Sequence, residues 1–275
     1  MSGVRWQLED DKVYKYLAFD LDGTLLSSDK TIDGKTAKIL HDLNSIKESI
    51  IILVSGRHMN EMTSYIKTLD LNSKCYYISS DGQYIYNGLL ELIHIEPYIE
   101  TWKVEKVFEK LNNTTALIVT RTGDYLVDTN WFRRVFKRFK TLVKGKKQRI
   151  YGYKDILTEN ISEIEKIVLY NNVDFKPIED IFNIHVLDEG RIELLNKEVS
   201  KYVALKYLSD CKKIKLDELL YFGDDMNDYE CFYTLENTVA MANASKKIKQ
   251  LARFQTEDCD HGGIYNMLSK IDATN

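Results

Sequence analysis

Two hydrophobic periodicities alternate along the chain. Residues 14–19 (YKYLAF) are an apolar run that stops at Asp20-Leu21-Asp22-Gly23, the pattern of a strand ending in a glycine turn. From 31 to 48, the apolar residues Ile32, Ile39, Leu40, Leu43 and Ile46 recur at helical spacing. Residues 49–54 (SIIILV) are a continuous β-branched run, which predicts a strand buried on both faces. It ends at Ser55-Gly56-Arg57, and helical spacing resumes over 59–69. Strand, helix, strand, helix predicts an α/β fold with a doubly wound parallel sheet. The same alternation returns late, with a helix over 201–208 and a strand over 218–222 running into Gly223-Asp224-Asp225. A helix over 226–235, a strand over 238–241, a helix over 245–252 and a last strand over 254–256 follow. The middle differs. Strand candidates at 83–86, 90–95, 116–120, 125–129, 166–170 and 182–187 mix with two or three helices, and Thr122-Gly123-Asp124 reads as a hairpin turn. The expected organisation is a core domain of 1–83 and 191–275 interrupted by an inserted α+β domain of 84–190.

Composition narrows the class. The chain has 275 residues, enough for about two domains. Its 44% hydrophobic and 29% charged content is that of an ordinary globular protein with a sizeable core. Only two prolines and 13 glycines occur, which excludes collagen-like and Pro- or Gly-rich linker classes. Apolar stretches such as 50–54 are far too short to span a bilayer. The opening MSGVRWQLEDDK has no apolar run of a secretory signal, so a cytoplasmic location is expected. Cys75, Cys211, Cys231 and Cys259 lack C-x-x-C spacing and read as buried or idle thiols in a reducing compartment. The five histidines are dispersed and not spaced as metal ligands; His58 reads as a residue at a helix start.

The chemistry-bearing groups sit at the strand ends. Asp20 and Asp22, Ser55 and Gly56, and Gly223-Asp224-Asp225 each follow a predicted strand, and Lys201 opens a helix. Ligands of open α/β sheets bind outside the carboxyl ends of the strands, so these points would converge. Asp20, Asp22 and Asp224, with no His or Cys pattern nearby, suit a hard cation, Mg²⁺ before others. Ser55 and the backbone at Gly56 suit phosphoryl oxygens. Taken singly each has a plain structural alternative: a helix cap, a common turn, a solvated lysine. Their joint occurrence in order is the stronger signal.

The motifs D-L-D-G-T-L-L at 20–26, V-S-G-R at 54–57, V-S-K-Y-V-A-L at 199–205 and G-D-D-M-N-D at 223–228 resemble the haloacid dehalogenase (HAD) superfamily. The tail, V-A-M-A-N-A at 239–244 and D-C-D-H-G-G-I at 258–264, resembles its Cof-type phosphatases. The resemblance spans nearly the whole chain. It implies a Rossmann-like core, a cap inserted between the second and third motifs, and hydrolysis of a phosphate ester through an aspartyl phosphate. By the same resemblance Asp20 is the nucleophile, and Asp22 is the general acid and base, with a carboxyl pKa raised by its neighbours. The Asp20 carboxylate, the Asp22 backbone carbonyl and the Asp224 carboxylate would hold Mg²⁺. Leu21, Ser55, Gly56, Lys201 and Asn227 would hold the phosphate. Thr24 supports the nucleophile turn and Asp228 orients Lys201 or a metal-bound water. An aspartate at 22 favours phosphatase or phosphomutase over dehalogenase chemistry.

The chain departs from the family pattern at two places. Tyr202 replaces the usual glycine after the lysine, and Asp81-Gly82-Gln83 stands where Asn-Gly-Ala is usual. An anion at Asp81 would be unfavourable beside a phosphate unless it points away or meets a cation. Between Arg133 and Arg149 the chain carries nine Lys/Arg and no acid, over a stripe of Phe132, Phe136 and Phe139. The plain reading is a helix with a solvated basic face; the functional one is attraction of polyanionic substrates. Nucleic-acid binding is disfavoured because the rest of the chain is acidic and no nucleic-acid-binding fold is apparent. The expected partner is a small phosphorylated metabolite, such as a sugar or cofactor phosphate, with no membrane. The alternatives are a phosphomutase-like phosphotransferase and a non-catalytic regulator that binds phosphometabolites. The oligomeric state is not legible.

Overall fold

The computed structural model describes residues 14–111, 114–130, 150–159, 161–170, 173–187 and 190–274. The chain divides into two compact units, Met1–Glu96 with Ser200–Asn275, and Pro97–Val199. The basic segment 133–149 and its phenylalanine stripe lie outside the described residues.

The first unit is built on strands β1 (Tyr16–Asp20), β2 (Ile50–Val54), β3 (Tyr76–Ser79), β4 (Tyr84–Asn87) and β5 (Leu92–Ile95). Its helices in this half are α1 (Gly34–Ser45) and α2 (Met59–Leu69). The second half adds strands β12 (Leu219–Gly223), β13 (Thr238–Ala240) and β14 (Phe254–Gln255). It also adds helices α5 (Lys201–Asp210), α6 (Tyr229–Thr234), α7 (Lys246–Leu251) and α8 (Gly263–Thr274). The strands form one sheet in the order β14-β13-β12-β1-β2-β3-β4-β5, parallel from β14 to β3.

Alternation along β1 explains the layering. Leu17 and Phe19 face one side with Leu40 of α1, Met62 of α2 and Leu268 of α8. Tyr16 and Ala18 face the other with Ala204 and Leu205 of α5, Phe232 of α6 and Ile248 of α7. Both faces are covered, so β2 can be apolar throughout. Leu53 is fully buried in this core. We expect Leu53→Ala to lower the stability of this unit by about 3 kcal/mol, through lost transfer energy and a residual cavity, read as an earlier urea midpoint.

The second unit contains α3 (Thr101–Lys110), β6 (Thr115–Thr120), β7 (Gly123–Asp128), β8 (Ile150–Tyr151), α4 (Tyr153–Thr158), β9 (Ile164–Tyr170), β10 (Phe182–Val186) and β11 (Ile192–Asn196). Its sheet runs β10-β11-β9-β6-β7-β8, mostly antiparallel. Val104, Val107 and Phe108 of α3 pack on Ile118, Ile167 and Leu194 of the sheet. The α+β character agrees with the sequence pattern.

The unit boundaries fall later than the expected 83/84 and 190/191. β4 pairs antiparallel with β3, Ile78 opposite Ile85, and carries β5 with it, so 84–95 extends the first sheet. At the return, β11 pairs with β10 from Val186↔Ile192 to Phe182↔Asn196, which keeps 192–196 in the second unit. Among the described residues no helix is long and apolar enough to cross a membrane.

Candidate active site

The strand order places β1 between β12 and β2, with the chain winding outward on either side. This is a topological switch point, where a crevice opens at the carboxyl ends of the strands. Asp20 ends β1, in register with Val54 of β2. Phe19 pairs with Phe222 on the other side. Ser55 and Asp224, each one step beyond its strand, therefore flank Asp20.

Lys201 is the first residue of α5, fixed there because the Ser200 hydroxyl caps the helix by accepting from Val203 N. The side chain is buried, and Nζ donates to Asp20 Oδ1 at 2.6 Å and Asp228 Oδ1 at 2.6 Å. Asp228 also accepts from the Tyr221 hydroxyl at 2.7 Å and from the N–H groups of Asp224 and Asp225 at 2.9 and 3.2 Å. Asp224 is oriented on both oxygens. Thr24 Oγ1 donates to Oδ1 at 3.0 Å, and Asn243 Nδ2 donates to Oδ2 at 3.2 Å and to Gly23 O at 2.7 Å. Gly23 has φ 82°, and a Cβ there would lie 2.2 Å from Asp224 Oδ2. Only glycine fits this turn.

Oxygens of Asp20, Asp224 and Asp228 lie within 4.8 Å of one another. Three carboxylates against one ammonium leave two negative charges in a largely buried place. Burial pushes the Asp20 carboxyl well above the ordinary carboxylate range, Asp228 and Asp224 add to it, and Lys201 opposes. Burial and Asp228 push Asp224 up to about 7. Burial alone would lower Lys201, but Asp20, Asp228 and Asp81 outweigh it and hold it well above the usual lysine value. A hard divalent cation fits this donor set, since it would cancel the excess charge through oxygen ligands alone.

Asp22 corrects the expectation of a raised pKa. Its carboxylate receives Arg57 Nε at 2.5 Å and Nη2 at 2.7 Å, and Lys30 Nζ at 2.8 Å. Burial would raise the carboxyl, but hydrogen bonds from Arg57 and Lys30 outweigh it and bring it to about 2. In the side-chain acid cluster, Asp228 stands where the sequence reading had placed Asp22.

Several of the expected phosphate groups meet a sixth residue, Asp81. Ser55 is buried after β2, and its Oγ accepts from Arg57 N at 3.2 Å. A Cβ on Gly56 would lie 2.8 Å from Asp81 Oδ1. Asn227 Nδ2 donates to that same oxygen at 3.1 Å. Leu21 is buried, and its carbonyl closes the turn after Asp20 by accepting from Thr24 N and Leu26 N. Asp81 lies in a turn after β3 where Ser80, Asp81 and Gly82 have φ of 50°, 56° and 110°. Such consecutive left-handed residues persist only where surroundings impose them. Here Ser80 N donates to Arg57 O at 2.8 Å and Asp81 N to Ser55 O at 3.0 Å, while Ser80 Oγ meets His58 Nδ1 at 3.1 Å. His58 does precede α2, as its N-cap.

Sequence reasoning gave no role to Asn243, Lys30 or Tyr221. Asn243 lies in the quoted V-A-M-A-N-A motif, a signal that was available. Lys30 and Tyr221 carry none, because only the folded chain brings them to Asp22 and Asp228. Cys75, Cys211, Cys231 and Cys259 are free thiols.

The arrangement is that of a hydrolase. Residues 17–268 match the family of haloacid dehalogenase-like hydrolases, and the chain belongs to that family, in its Cof-type branch. It is an enzyme of the phosphatase type. Phosphatase YwpJ of Bacillus subtilis is 25% identical, covering 94% of this chain and 99% of its own. A Mycoplasma genitalium protein whose phosphatase name is provisional is 28% identical, covering 94% of this chain and 99% of its own. A solved HAD subclass IIB sugar phosphatase shares the fold with a TM-score of 0.71 at 21% identity, over 94% of this chain and 99% of that one.

Proposed function

We propose that this chain is a magnesium-dependent phosphatase that hydrolyses small phosphorylated metabolites, sugar or cofactor phosphates, through an aspartyl phosphate on Asp20. The observation that carries the reading is the buried carboxylate of Asp20 at the switch point, held by Lys201 at 2.6 Å beside Asp224. Names of relatives support it: one is a phosphatase and one structural neighbour a sugar phosphatase.

An Asp20 oxygen attacks phosphorus as the bond to the leaving oxygen breaks, and Asp22 supplies the proton that oxygen needs. Water then attacks phosphorus, gives its proton to Asp22, and phosphate leaves as the bond to Asp20 breaks. Lys201 fixes the attacking carboxylate and offsets anionic charge through both steps. Ser55, the Leu21 and Gly56 backbone, Lys201 and Asn227 hold the phosphoryl oxygens. Asp20, the Asp22 carbonyl and Asp224 would hold Mg²⁺, which supplies Lewis-acid stabilisation of the phosphoryl charge. Arg57 and Lys30 keep Asp22 ionised, the state of a base. Acting as an acid requires loosening that pairing and taking up a proton.

The test compares leaving groups. Asp22→Asn should lower kcat/KM, which reports leaving-group release and not the shared hydrolysis of the aspartyl phosphate, about 10²-fold or more on an alkyl phosphate, whose alkoxide needs a proton. It should lower it much less on para-nitrophenyl phosphate, whose phenolate leaves unaided. Equal losses on both substrates would remove the acid role. No activity of the wild type on either substrate with Mg²⁺ would remove the phosphatase reading.

A further inference from the structure

We propose that Asp81 is a specificity-determining residue: its buried carboxylate, set among the groups that hold the phosphate, makes the pocket grip a phosphate dianion loosely. The inference rests on the assignment of Ser55, Gly56, Lys201 and Asn227 as phosphate-holding groups. Three of those four face its carboxylate, and the fourth, Ser55, accepts from its backbone N–H. Asn227 donates to its Oδ1 at 3.1 Å. Gly56 lies so close that a Cβ there would be 2.8 Å from Oδ1 and 3.0 Å from Oδ2. Lys201 feels its charge directly. The residue is 1% exposed, so water screens this charge little.

The backbone places the carboxylate there deliberately. Asp81 N donates to Ser55 O and Ser80 N to Arg57 O, which ties the left-handed turn to the Ser55-Gly56-Arg57 loop. A Cβ on Gly82 would lie 2.2 Å from Ser200 O, so the other side of the turn is pressed against the start of α5. The turn cannot rotate its aspartate outward without breaking these contacts.

A carboxylate and a phosphate dianion want the same donors and repel each other. Asp81 accepts from Asn227 in the phosphate's stead and takes part of the Lys201 field. The phosphate pays that competition twice, as bound substrate and as bound product. A neutral amide in its place would still accept from Asn227 but compete less for the donors, and the charge repulsion would be gone. The carboxylate therefore shifts recognition from the phosphate toward the rest of the substrate and speeds release of inorganic phosphate. Repulsion scales with ligand charge, which separates this role from a structural one.

The experiment uses the Mg²⁺-loaded enzyme hydrolysing para-nitrophenyl phosphate near pH 8, with inorganic phosphate, sulfate and methanesulfonate as inhibitors. Asp81→Asn keeps size and suits the left-handed backbone. Its inhibition constants for phosphate and sulfate, both dianions, should fall about tenfold, and that for the monoanion methanesulfonate about threefold. Asp81→Gly, which suits φ 56° better still, should shift in the same order. Equal shifts for mono- and dianions, or none, would overturn the role of Asp81 while phosphate inhibition of both enzymes keeps the pocket assignment. Failure of phosphate to inhibit wild type and variants alike would overturn the assignment, and Asp81 with it.

Discussion

Asp20→Asn will leave a folded protein that no longer turns over phosphate esters. An amide oxygen is a poor nucleophile toward phosphorus and cannot form the acyl phosphate, so kcat should drop by at least about 10⁴-fold, equivalent to about 5.5 kcal/mol of transition-state stabilisation. The fold should survive for an electrostatic reason. Asp20 is one of three crowded carboxylates, and burial already disfavours its ionised form. Lys201 keeps Asp228 at 2.6 Å, and the amide oxygen can still accept its second hydrogen bond. The melting temperature should therefore match or exceed that of the wild type without metal. Lys201→Met is the opposite case. It would strand Asp20 and Asp228 in a dry site without a counter-charge, at a cost of about 3–5 kcal/mol, so loss of activity there would not by itself argue chemistry. A single turnover that leaves no phosphate on wild-type Asp20, read by trapping and mass spectrometry, would remove it as nucleophile.

How far the sequence foretold this site depends on the distance over which each part is determined. The parallel core was legible because β2 and β12 are continuous apolar runs, and only a sheet covered on both faces can bury them. Asp20, Ser55 and Asp224 were legible as strand-end residues for the same reason. Strand β3 was not recognised: YYIS is four residues without periodicity, and its end is fixed by hydrogen bonds from Ser80 and Asp81 to Ser55 and Arg57. Residues 84–95 were assigned to the inserted domain because a hairpin pattern does not say which sheet it joins; the pairing of Ile85 with Ile78 decides it. Lys201 taken alone read as a solvated lysine, and only its two buried carboxylate partners, 181 and 27 residues away, explain its burial. The ion pairs of Asp22 reach to residues 8 and 35 positions on. They reverse the pKa expected from crowding by acids, because a carboxylate responds to whichever charge its side chain finally meets.

Removing divalent metal should silence the enzyme, and the pH dependence of its return should report Asp224. Without a cation, Asp20, Asp224 and Asp228 face one another, and among the described residues Lys201 is the cation paired with them. Asp224, pushed up to about 7 by burial and then by Asp228, carries its proton over much of the acid side of neutrality. Metal must displace that proton to use the carboxylate, so binding is linked to its release. The half-activating Mg²⁺ concentration should then be several-fold lower at pH 8 than at pH 6 and level off above the Asp224 titration. Because Mg²⁺ binds the folded state, it should also raise the melting temperature in proportion to the logarithm of its excess, more at pH 8 than at pH 6. This second readout needs no turnover and can be made on Asp20→Asn. Asp224→Asn keeps the bond from Thr24 but has no proton to release in this range. It should require a much higher Mg²⁺ concentration and, on the Asp20→Asn background that removes the other raised carboxyl, lose most of the pH dependence. Full activity in excess EDTA would exclude the metal, and an Asp224→Asn variant that keeps the wild-type pH dependence of Mg²⁺ stabilisation would place the linked proton on another group.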